Sequence, residues 1–210
     1  MDERVAGIER SGSREGFRGF RRALSGPFPR WRETVGAPII LFSYYNPILQ
    51  YGLENFARDA AQAGVDGALV VDLSPEEASA YVEIMRGHNL DTIFLASPTS
   101  TDARLERASQ LSSGFLYLVS RVGVTGERSE LSATLPPLVE RARRHTSLPL
   151  AVGFGISSPA QVRAVQSAAD AAVVGSAVVH TIEERYGEEG AAAIERFVRW
   201  LKEGTGERPA

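Results

Sequence analysis

The chain has no cysteine among its 210 residues, which excludes disulfides, thiolate nucleophiles and cysteine metal sites together. Histidine is scarce. His88, His145 and His180 stand far apart near predicted helix ends, without the spacing of a ligand cluster, so no metal site is expected. No apolar run approaches the roughly 18 residues of a spanning helix, and Met1-Asp2-Glu3-Arg4 does not begin a signal peptide. No membrane is expected, and a cytoplasmic address follows as the default. An excess of one charge is also lacking. The 23 basic and 26 acidic residues leave a net charge of −3, too little to attract nucleic acid or an anionic membrane surface.

What remains is 43% hydrophobic and 23% charged, enough for one substantial core in one domain or at most two. Residues 1–36 differ in kind from the rest. They carry eight arginines, no lysine and no strand-like apolar run. Glu15–Leu24 is compatible with a short helix carrying Phe17, Phe20 and Leu24 on one side, weakened by Gly16 and Gly19. Acidic residues interrupt the basic ones, so this segment reads as a solvated, poorly ordered leader or a short helix rather than a nucleic-acid arm. The organised domain is expected over 37–203, with 204–210 a flexible tail.

From Pro38 onward short apolar runs alternate with amphipathic helices, the signature of an α/β fold built from βαβ units. Strands are expected at Pro38–Ser43, Ala68–Val71, Thr92–Ala96, Phe115–Val119, Leu150–Val152 and Ala171–Val174. Ser74-Pro75-Glu76-Glu77 reads as a capping box, Ser158-Pro159 as a helix start, and Ile194, Phe197, Val198 and Leu201 as the apolar stripe of a last helix. Residues 120–128 form a polar, glycine-bearing connection long enough to fold over a ligand.

The chemistry concentrates in Leu148–Val179. Gly153-Phe154-Gly155 ends one strand where a side chain would obstruct a ligand, and Gly175-Ser176 opens the turn after the next. Amides of Gly155, Gly175 and Ser176 are placed to converge on a dianion, helped by the positive end of a helix. In parallel α/β barrels the last two strand-to-helix loops commonly do this.

SYYNPI (Ser43–Ile48), VVDLSPEE (Val70–Glu77), YLVSRVGVTGER (Tyr117–Arg128), VGFGISSPAQV (Val152–Val162) and VVGSAVV (Val173–Val179) closely resemble the tryptophan synthase alpha chain family, in its order and over about residues 37–203. The resemblance implies an eight-stranded (β/α) barrel, and a carbon–carbon lyase that cleaves indole-3-glycerol phosphate to indole and glyceraldehyde 3-phosphate. It implies no cofactor in this chain; pyridoxal phosphate belongs to the beta chain expected as partner. Carried over, Gly155, Gly175 and Ser176 hold the phosphate, with Phe154 in its pocket. Tyr117 lies near the glycerol and indole, and Phe42, Tyr44 and Leu69 line the indole pocket. Thr125 and Gly126 belong to a mobile loop. Asp72 resembles the surface facing the beta chain, with a carboxylate capping its own loop as the plainer role. Ser74 stands where the family usually has proline.

The resemblance places Pro38–Ser43 at the third barrel strand, so six βα units of an incomplete barrel are expected. The family's catalytic glutamate and aspartate belong to units without a counterpart in residues 1–36, and the sequence identifies no catalytic residue. Cleavage of this kind needs carboxylates. The chain is accordingly expected to be short of its acid–base half and to expose strand edges at Pro38–Ser43 and Ala171–Val174. An altered gene start is one origin for the leader. Two alternatives follow: a non-catalytic partner that binds and modulates a beta chain, or a truncated product without function. A different phosphate-handling barrel, such as a histidine-pathway isomerase, does not share YLVSRVGVTGER.

Overall fold

The structure, a computed structural model, describes residues 22, 24, 26–119 and 130–204; side chains of 27, 28, 130–134, 186 and 188 fall outside the description. Their order is α1 (Pro27–Arg32), β1 (Ile40–Ser43), α2 (Tyr45–Tyr51), α3 (Leu53–Gln62), β2 (Gly67–Val70), α4 (Ser79–Gly87), β3 (Asp91–Ile93), β4 (Leu95–Ala96), α5 (Asp102–Leu111), β5 (Leu116–Val119), α6 (Glu130–Arg143), β6 (Leu150–Gly153), α7 (Pro159–Gln166), β7 (Ala171–Ala172), α8 (Ser176–Glu189) and α9 (Ala191–Glu203). The expected alternation is present. Most of the strands are apolar runs too short to bury themselves unless helices cover them. Two compact units result, one holding the described residues up to Leu95 and Glu106–Leu116, the other Ala96–Leu105 and the described residues from Tyr117 onward.

In the first unit β1, β2 and β3 form a parallel sheet in that order, with Phe42 opposite Leu69 and Leu69 opposite Ile93. Phe56, Ala57 and Ala60 of α3 and Tyr81, Val82 and Met85 of α4 are buried. The Tyr81 hydroxyl donates to Ala68 O at 3.3 Å, and its ring meets Tyr45 edge-on at 6.2 Å. The helix expected after the first strand is broken in two at Gly52, whose φ is +86°.

In the second unit the sheet order is β4-β5-β6-β7, with Val152 opposite Ala172. Phe197 and Leu201 of α9 are buried, and Gly204 ends the helix in the left-handed conformation. The buried residues of α9 are Ala193, Phe197 and Leu201, four residues apart, while Val198 is 37% exposed, which narrows the stripe expected there.

Two further expectations are corrected. The third strand is two, Asp91–Ile93 and Leu95–Ala96, and they belong to different sheets. Ser74 does not cap a helix: α4 begins at Ser79, and residues 74–77 form a turn in which Ser74 Oγ donates to Glu77 Oε2 at 3.0 Å. Arg32, at the end of α1, donates to Ala37 O at 2.9 Å and to Asp66 Oδ1 at 3.2 Å, so residues from α1 onward are built into the first unit. Leu24 is also buried there, while residues 15–20 lie outside the described residues. As expected, β1 and β7 are the terminal strands of their sheets.

Candidate functional site: two loops after β6 and β7

Every residue of β6 is buried, and the chain leaves it through two consecutive positive φ values, Phe154 at +79° and Gly155 at +77°. Glycine meets this conformation freely; phenylalanine does not, so surrounding structure must hold it. The loop is short and fastened at its far end. Ser158 caps α7 by accepting from Gln161 N at 3.4 Å, while Gln161 Oε1 accepts from Ser158 N at 3.1 Å and Ser157 N at 2.9 Å, with Pro159 at the first helical position. Gln161 was legible in the spacing Ser158-x-x-Gln161, but the sequence reading stopped at Ser158 and Pro159.

The second loop follows β7. Val173 N donates to Val152 O at 2.7 Å, and α8 begins three residues later. Gly175 supplies the cap: its carbonyl accepts from Val178 N at 2.9 Å and Val179 N at 3.1 Å. The leading amides of a helix have no intrahelical acceptor, and the macrodipole adds partial positive charge there. Gly175 and Ser176 are exposed, and a Cβ at Gly175 would meet nothing within 4 Å. Because Val152 pairs with Ala172, Gly155 and Gly175 each stand three residues beyond paired positions, which makes the two loops neighbours.

Tyr117 joins this group. It sits in the middle of β5, next to β6 in the sheet, and is 4% exposed. Its ring occupies the space that a side chain at Gly153 would need, and meets Phe154 edge-on at 6.3 Å and 84°. Burial raises the Tyr117 phenol above its ordinary pKa, so it stays a neutral hydrogen-bonding group at physiological pH. Phe154 is itself 46% exposed, giving the site one apolar wall.

Phe42, Tyr44, Leu69 and Asp72 belong to the first unit. Phe42 is 59% exposed although its partner in the sheet, Leu69, is 2% exposed; Phe42 stands on the terminal strand of that sheet. Tyr44 is 45% exposed and precedes α2. Asp72 is exposed, and its Oδ1 accepts from Tyr45 N at 2.7 Å, so it bonds the neighbouring loop rather than its own. Thr125 and Gly126 lie outside the described residues. Among the described residues no group of acidic or histidine side chains is placed to hold a metal, and no helix is long and apolar enough to cross a membrane.

The sequence model of the tryptophan synthase alpha chain matches residues 30–205. The chain belongs to the tryptophan synthase alpha chain family. The tryptophan synthase alpha chain of Solibacter usitatus is 54% identical over 180 residues, covering 84% of this chain and 67% of that one. That of Roseiflexus sp. (strain RS-1) is 51% identical over 171 residues, covering 81% and 66%. Among solved structures, the subunit alpha of Legionella pneumophila superposes with a TM-score of 0.76 at 33% identity, over 89% of this chain and 70% of that one. A chain from the α2β2 complex of Pyrococcus furiosus superposes with 0.72 at 39% identity, over 90% and 72%. These likenesses place the chain in the (β/α)8-barrel class. It spans about two thirds of the length of the curated tryptophan synthase alpha chains it matches.

Proposed function

We propose that this tryptophan synthase alpha family chain binds indole-3-glycerol phosphate, with the phosphate between the loops after β6 and β7 and the indole against aromatic side chains. Gly155, Gly175 and Ser176 supply amides to the phosphate, Phe154 closes one side, and Tyr117 stands beside the glycerol. Family resemblance assigns Phe42, Tyr44 and Leu69 to the indole, and Thr125 and Gly126 to the family's mobile loop. The observation that supports the reading is the register of β6 and β7, Val152 opposite Ala172, together with the open space at Gly175 where α8 begins.

The family reaction is a retro-aldol cleavage. The indole carbon takes a proton, the bond to the glycerol side chain breaks, and the adjacent hydroxyl loses its proton as it becomes the aldehyde of glyceraldehyde 3-phosphate. Each proton needs a group of its own, and removing a general acid or base costs about two to four orders of magnitude. No residue of this chain is assigned either role. That favours a second reading, in which the chain binds a tryptophan synthase beta chain through the surface around Asp72 and modulates it without turnover. Pyridoxal phosphate then belongs to the partner, as does the chemistry that consumes indole. Both readings place the chain in the cytoplasm, where a soluble phosphorylated substrate is found.

Indole release from indole-3-glycerol phosphate, measured with and without a beta chain, decides between them. Turnover by the full chain establishes the lyase. Activation of the beta chain without turnover establishes the modulator, and a folded chain that neither binds or turns over the substrate nor activates a beta chain would refute both.

A further inference from the structure

The turn that carries Gly155 is held from the side of α7 by one side chain. Gln161 Oε1 accepts from Ser157 N at 2.9 Å and Ser158 N at 3.1 Å, and both serine hydroxyls reach the same atom, Ser158 Oγ at 3.1 Å and Ser157 Oγ at 3.3 Å. Four donors converge on a single carboxamide oxygen. The bond by which Ser158 caps the helix, from Gln161 N to Ser158 Oγ, is the longest of the set at 3.4 Å. The Gln161 side chain therefore holds the loop, while Ser158 serves the helix.

Between this anchor and β6 lies backbone in an unfavourable state. Phe154 has a φ of +79° and Gly155 one of +77°. Glycine enters that region as readily as its mirror image, but a residue with a Cβ is penalised there. Phe154 stays in it because both ends of the turn are fixed. At the β6 end Val152 O accepts from Val173 N at 2.7 Å, and the Tyr117 ring meets Phe154 edge-on at 6.3 Å. At the other end Ile156 is buried, and the exposed Ser157 and half-buried Ser158 are fastened through Gln161. The peptide that follows Phe154 carries the Gly155 N–H. A change of sign in the Phe154 φ would turn that N–H to a new direction.

We propose that Gln161 is a positioning residue for phosphate binding: it keeps Phe154 left-handed and thereby keeps the Gly155 N–H aimed at the ligand. This rests on the phosphate reading above. The bonds of the Gln161 side chain go to Ser157 and Ser158, so it acts through the turn rather than on the phosphate. The phenylalanine makes the turn dependent on its anchor. With a residue that enters the left-handed region freely, the anchor matters less.

Titration of the full chain with inorganic phosphate, followed by backbone NMR, tests this. Gln161→Met keeps the bulk and helix propensity of the side chain but removes the acceptor, and is expected to weaken phosphate binding about tenfold, the factor set by returning one left-handed residue to its favoured region. Ser158→Ala leaves Gln161 Oε1 on both amides, and is expected to stay within about threefold of the original affinity while lowering stability. In a Phe154→Gly chain the same Gln161→Met change is expected to cost less than about threefold, because no Cβ drives the turn over. Without phosphate, the backbone shifts of Phe154 and Gly155 are expected to move in Gln161→Met and to stay in Ser158→Ala. Equal affinity in Gln161→Met and the original chain overturns the proposal, as do equal losses in Gln161→Met and Ser158→Ala, which would reduce Gln161 to part of a helix cap. An undiminished loss in the Phe154→Gly chain overturns the role of the left-handed phenylalanine. If the original chain takes up no phosphate, the phosphate reading fails and the binding role with it; Phe154 shifts that still move in Gln161→Met then uphold the hold on the turn, and unmoved shifts overturn that as well.

Discussion

Replacing Gly153 by alanine adds one methyl group at the point where β6 passes Tyr117. Built on the existing backbone, that carbon overlaps the phenolic oxygen and lies 2.5 Å from Cζ and 3.2 Å from Cε2 of Tyr117. Ordinary contact needs about 3.4 Å or more, so the ring must retreat by roughly 1.5 Å. It has little room to do so, being 4% exposed and set edge-on against Phe154 at 6.3 Å. Overpacking of this kind costs about 1–3 kcal/mol, and loss of the aromatic geometry adds up to about 1 kcal/mol. Taking about 2 kcal/mol, thermal unfolding of a chain this size should move down by about 4–8 °C. Calorimetry of Gly153→Ala, Tyr117→Phe and the double variant isolates the cause. The double variant should recover part of the loss relative to Tyr117→Phe alone, because the atom that overlaps outright is gone while Cζ still has to shift. A Gly153→Ala chain that melts within about 1 °C of the original, or a double variant with no recovery, would refute the packing described here.

Other consequences are as specific. Hydrogen bonds from Leu150 N, and next from Arg143, hold the Asp170 carboxyl below its ordinary pKa, so it contributes stability that is complete above the unfolded-state value near 3.9 and is lost as pH falls through the lower folded-state value. Asp170→Asn should therefore flatten the dependence of unfolding temperature on pH below about 4, and an unchanged slope there would count against the bonds from Leu150 N and Arg143. Ser158→Ala removes the cap of α7 and should cost about 1 kcal/mol in urea unfolding; no change in midpoint would mean that Gln161 alone secures the loop. Phe56 is fully buried, and Phe56→Ala should cost about 3–5 kcal/mol by the same assay, with a loss under about 1 kcal/mol contradicting its place in the core.

Most of the alternation was readable because a short apolar run between helix signals has few other interpretations. Leu150–Gly153 and Ser158-Pro159 fall where propensity and capping chemistry put them. Residues whose role is fixed by distant partners were not readable. Nothing local marks Arg32 as belonging to the core unit rather than to an arginine-rich leader; its partner Asp66 is 34 positions away. Nothing in Thr92–Ala96 announces that its halves pair in different sheets, since the apolar pattern runs through both. Gly153 reads as a ligand-approach glycine, yet it is a Tyr117 side chain from the neighbouring strand that requires it. The opposite exposures of Phe42 and Leu69, which share a register, follow from β1 being the end of its sheet, a fact of topology rather than of composition.

Calorimetric titration of the full chain with indole-3-glycerol phosphate, set beside Gly175→Asp, bears most directly on the proposed phosphate site between the loops after β6 and β7. A Cβ at Gly175 meets nothing within 4 Å, so the variant folds without steric cost and reports charge alone. One carboxylate about 5 Å from a dianion costs about 2–7 kcal/mol between surface and bulk-water screening. The account predicts binding by the original chain, retained in Gly175→Ala and weakened at least about thirtyfold in Gly175→Asp. Equal affinity in the original chain and in Gly175→Asp would contradict it.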